Sequence, residues 1–141
     1  MPSFAEHTQA NLTQLAADGA DALRIAESAV AGWHALDAVL SPIIGRLGVA
    51  ALFKRSLLLT APAHTSLVAA HWDVQTDGDF ESLRTSLKQQ PVANAIAING
   101  ALLQQFVALL TTLIGESLTE RLLQSVIDNH PRHGAVQEIS S

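Results

Sequence analysis

PVANAIAINGALLQQFVALLTTLIG, residues 91–115, decides how the rest of the chain is read. No charged residue occurs from Gln89 to Gly115, so the stretch is long and apolar enough to raise a membrane-spanning helix, which takes about 20 such residues. Its polar residues argue otherwise. At about 100° per residue, Asn94, Gln104, Gln105, Thr111 and Thr112 gather on one side, with Ala97, Ala101 and Ala108 between them. Val92, Ile96, Ile98, Leu102, Leu103, Phe106, Leu109, Leu110, Leu113 and Ile114 take the other side. This pattern predicts a central amphipathic helix of a soluble bundle, not a membrane span.

Asn99 interrupts the apolar arc. An unpaired amide there would cost a few kcal/mol, so a partner is expected: a backbone carbonyl, a buried water, or its own copy across a two-fold axis that sets register. The last possibility makes Asn99 an interface candidate.

Outward from this helix, the 141 residues are sufficient for one domain with a real core. Apolar residues make up 48% and charged residues 15%, a balance that favours covering some surface with a partner, by default a homodimer. The net charge of -5 and the scattered basic residues argue against nucleic acid as a partner. With no cysteine there is no disulfide and no thiolate chemistry. The N-terminus has neither a basic start nor an apolar run, which predicts a cytoplasmic location.

Residues 1–19 predict at most a short surface helix, and residues 130–141 a flexible tail, around a bundle at 20–129. A helix is expected from about Ala20 to Leu40, burying Trp33 and directing His34 outward, with Gly32 on the buried side allowing close helix approach. Ser41 and Pro42 are expected to end it and start another. From Val49 to Thr60 the apolar face is Val49, Leu52, Phe53, Leu57 and Leu59, while Leu58 falls on the polar side and becomes a subunit-contact candidate. A helix from Phe80 to Gln89 is expected to be capped by Asp79. Ser117 to Glu120 reads as a capping box for a last helix burying Leu118, Leu122 and Val126, with Leu123 a further candidate for the buried face. The expected fold is therefore all-α, a single-domain bundle of five or six helices around a long central helix at about 91–114.

LSPIIGRLGVAALF (40–53) and LTTLIGESLTERLL (110–123) share L-x-x-[IL]-I-G followed by a later pair of large apolar residues. Each follows a long amphipathic helix. The echo predicts a duplicated unit of helix, Ile-Gly corner and helix.

Chemistry-bearing patterns are sparse. Residues Asp73 to Arg84 resemble the calcium loop of EF-hands, with Asp73, Asp77, Gly78, Phe80 and Glu81 in place, but Arg84 stands where the motif needs a bidentate Glu. No metal is expected, and Asp79 and Glu81 are read as favouring a helix N-terminus. His64 and His71 at i,i+7 lie about 10 Å apart on a helix, too far to share a metal, and His130 and His133 belong to the tail. His34, Leu36 and Asp37 resemble the phosphorylated helix of histidine phosphotransfer domains, which implies His34 as phosphoacceptor, although Asp37 replaces the family's Lys and Ala38 its Gly. No nucleophile elbow, P-loop or dinucleotide fingerprint is present, so neither catalytic residues nor a cofactor is assigned.

The function expected is a non-catalytic interaction or regulatory module, self-associating and open to a protein partner. The alternatives are phosphotransfer through His34, or an apolar-ligand protein with Trp33, His71, Trp72 and Phe106 as pocket candidates.

Overall fold

A computed structural model describes residues 4–64 and 80–129. His71, Trp72, the acidic turn through Asp79, His130 and His133 lie outside the described residues. The described residues form six helices and no strand: α1 (Phe4–Ala17), α2 (Ala22–Ile44), α3 (Arg46–Thr60), α4 (Glu81–Lys88), α5 (Val92–Ile114) and α6 (Glu116–Asn129). The all-α bundle and its long central helix agree with the expectation.

Two 23-residue helices, α2 and α5, carry the architecture. Each ends at a glycine in the same conformation, Gly45 at φ 84°, ψ 155° and Gly115 at φ 93°, ψ 155°. Only glycine adopts this region at low cost. Each glycine N–H closes the last turn of the preceding helix, onto Ser41 O and Thr111 O at 2.8 Å. Each glycine carbonyl then accepts the first bond of the next helix, from Val49 N–H at 3.0 Å and Thr119 N–H at 3.1 Å. The corners are seventy residues apart, and every residue from Leu36 to Leu47 is buried, half-buried or exposed like the residue seventy positions later. The echo in the sequence is a repeated backbone plan.

The two repeats cross-pack. α1 runs antiparallel to α5: Phe4 lines a cleft with Val107 and Thr111, and further along Gln9 reaches Gly100. α4 runs antiparallel to α2 in the same way, the Phe80 ring against His34 and Arg84 against Glu27 at 3.4 Å. Because α1 also folds back on α2, with Leu12 sharing a cleft with Ser28 and Gly32, α2 and α5 point in the same direction. α3 and α6 do not approach each other; both pack on α2 and α5.

Several expectations are corrected. α1 is a 14-residue helix whose Phe4 and Leu12 enter the core, so it is part of the bundle and more than a surface strand of helix. α2 continues through Pro42 because the missing N–H affects a single bond in the last turn, and the positive-φ Gly45 ends it instead. Gly32 meets no atom within 4 Å of an added Cβ, whereas Gly100 would meet Gln9 Oε1 at 2.5 Å. The close approach is therefore at Gly100. α6 begins at Glu116, so its buried stripe is Thr119, Leu123 and Val126, and Leu118 is exposed. Thr119 is tolerated there because its hydroxyl donates to Gly115 O at 2.7 Å. Leu59 and Leu113, expected on buried faces, are exposed as well.

Candidate interaction surface

The centre of the molecule is filled. Trp33, 1% exposed, meets Phe53 and Phe106 edge to face at ring separations of 5.0 and 5.1 Å, and Phe80 at 5.9 Å. Phe53 and Phe80 close the cluster at 4.9 Å. The indole N–H donates to Asn99 Oδ1 at 2.9 Å. Asn99 is 0% exposed, so its partner is a side chain of the opposite repeat, and the two-fold it bridges is internal to the chain. A side chain, not a backbone carbonyl, supplies that bond. Its amide nitrogen and Gln9 Oε1 are buried without a partner among the described residues, a cost of about 1–3 kcal/mol per group.

Trp33 and Phe106 are core residues that line neither described cleft. The larger cleft, roughly 670 Å³, lies between α1, α5 and α6 and is lined by Phe4, Val107, Thr111, Glu116, Glu120 and Ile127 among others. Its mixed walls and open shape offer no apolar enclosure. No group of three or more His, Asp or Glu side chains suited to a metal occurs among the described residues.

His34 is exposed on α2, its ring edge-on to Phe80 at 4.9 Å. One turn on, Asp37 accepts from Ser41 Oγ at 2.9 Å. The described surroundings thus put a carboxylate beside the ring where a phosphoryl group would be served by a cation. The cation nearby on α4, Arg84, is held by Glu81 at 2.6 Å and by Glu27 at 3.4 Å, which raise its pKa above the ordinary value.

The unexplained surface is apolar and lies at one end. Trp33 contacts residues 99 and 106 of α5, level with its own counterpart Leu103, and α2 and α5 are parallel, so both glycine corners fall at the same end of the bundle. Four of the seven exposed large apolar side chains cluster at these corners: Ile43 (51%) and Leu47 (78%) at the first, Leu113 (59%) and Leu118 at the second. Ile43 and Leu113 are repeat counterparts. So are Arg46 and Glu116, both exposed, each the first residue of its helix. Glu116 suits the positive end of a helix, but Arg46 opposes it at a cost of a few tenths of a kcal/mol. Leu58, expected at a contact, is exposed at the far end of α3.

The sequence pattern identified neither Ile43 nor Leu47 as surface residues. The signal available was the repeat itself, because Leu47 aligns with Ser117.

Compared with family models, with curated proteins and with solved structures, the chain shows no match.

Proposed function

We propose that this protein is a non-catalytic interaction module that self-associates, its working surface being the apolar end formed by the two glycine corners. The observation that carries this reading is the exposure of Ile43, Leu47, Leu113 and Leu118 together at one end of a bundle whose interior is already filled. Singly exposed apolar side chains are ordinary, but a group of four gathered at two corners of one end favours a covered surface. α5 is long and apolar enough to cross a membrane by length and composition. Its buried face against α2, α3 and α1 supports a core helix instead.

The test is native mass spectrometry of the untagged full chain. A dimer without added mass is the expected result. A monomer retaining a small molecule would replace this reading with ligand binding. Phosphotransfer is checked separately by incubation with acetyl phosphate, where acid-labile label lost in His34→Gln would restore that alternative.

A further inference from the structure

Resting on the self-association reading, we propose a second contact between copies, away from the apolar end: the outer face of α3 in one copy seats in the cleft between α1, α5 and α6 of the next. The cleft, roughly 670 Å³, has apolar walls at Phe4, Val107, Leu123 and Ile127, and Glu116 and Glu120 line it one helical turn apart. Like charges at i,i+4 weaken a helix, and neither carboxylate has an ion pair among the described residues. Arg121 also lines the cleft, and Glu6 there already has a partner, so the charge open to an occupant is that of Glu116 and Glu120. The occupant this calls for carries cations followed, along one face, by apolar side chains.

α3 presents that pattern. Lys54 and Arg55 are exposed and have no ion pair among the described residues. One turn on, Leu58 and Leu59 are 54% and 45% exposed. At i,i+3 and i,i+4 these four side chains share the outer side of the helix, while Val49, Phe53 and Leu57 face the core. The repeat shows that the charges belong to the two surfaces and not to the common plan. Glu120 has Ala50 as its counterpart, Lys54 and Arg55 have Gln124 and Ser125, and Leu58 has Asp128. With α3 of one copy laid parallel to α6 of the next, Lys54 and Arg55 meet Glu116 and Glu120 while Leu58 and Leu59 cover Leu123 and Ile127. Complementary charge fixes that register and disfavours others. α3 and α6 do not touch within one copy, so only a second copy makes the match. The contact joins unlike faces and leaves one α3 and one cleft open at each step, so it adds copies to a pair instead of closing one.

The experiment is sedimentation velocity of the full chain over a concentration series, with far-UV circular dichroism on every variant. The expected result is a pair at low concentration and larger species as concentration rises. K54E/R55E and E116K/E120K, all at exposed positions, each raise the Kd of that second step about tenfold or more and leave the pair intact. An equimolar mixture of the two variants regains the larger species, because reversed α3 meets reversed cleft and unaltered α3 meets unaltered cleft. A chain that stops at the pair at every concentration would overturn this contact while leaving self-association intact. Reversals that act singly but are not restored in the mixture would overturn the pairing of α3 with the cleft. Reversals that abolish the pair itself, with restoration in the mixture, would support this contact and overturn the apolar end as the working surface. A monomer at every concentration would remove both this inference and the self-association reading.

Discussion

The first half of the chain, through α3, and the second, from α4 onward, have the same backbone plan and different fillings. Each has a 23-residue helix, a glycine corner and a second helix of similar length. Trp33, Phe53 and Ala29 in the first stand where the second has Leu103, Leu123 and Asn99. The Trp33–Asn99 bond therefore has Leu103 and Ala29 as its repeat image, and symmetry is broken at the point where the halves touch. A backbone repeat needs only matching corners and matching apolar periodicity. The contact across its axis must fill one shared volume, which two identical large groups would overfill and two small ones would leave empty.

Making the halves alike is the strongest way to break this comparison. Trp33→Leu removes indole volume and leaves Asn99 Oδ1 buried without a donor, an expected loss of about 3–5 kcal/mol by urea unfolding. Asn99→Ala costs less, about 1 kcal/mol, because it removes one unpaired donor while creating another at the indole. The double variant should be less destabilised than the sum by about 1–2 kcal/mol. Additive losses would mean that the bond does not couple the halves.

The corners sharpen the comparison from the other side. Gly45→Ala and Gly115→Ala should each cost about 1–3 kcal/mol, and by the same amount, since the strain is set by φ and ψ and no atom lies within 4 Å of an added Cβ. Unequal losses in matched denaturant curves would show that the corners are alike in shape only.

The smallest effect distinguishes two helical glycines. Gly32→Ala should stabilise by about 0.5–1 kcal/mol through helix propensity. Gly100→Ala should gain nothing until Gln9→Ala clears the side chain that it meets. Thermal unfolding of the four chains reads this directly, and an equal gain at both glycines would place the close approach elsewhere.

The central helix was legible because its polar stripe is long: Asn94, Gln104, Gln105 and Thr112 are all exposed. The outward position of His34 and Leu58 followed from the same periodicity. Boundaries were less legible where two local rules competed. Ser41 and Pro42 resemble a helix start, yet a proline three residues before a glycine corner sits where the helix is about to end and disturbs little. Ser117 to Glu120 has the spacing of a capping box, but Gly115 had already set the phase, turning Thr119 inward and Leu118 outward.

By itself the sequence determined that this chain is helical, that Val92–Ile114 has one wet and one dry face, and that two Ile-Gly corners recur, because periodicity and backbone freedom are local properties. Only the tertiary structure decided that Trp33 is the partner of Asn99, that Gly100 receives Gln9, and that the two corners share one exposed apolar end. Those depend on the directions in which α2 and α5 run past each other. Direction is set by how the whole core fills, which no single stretch encodes.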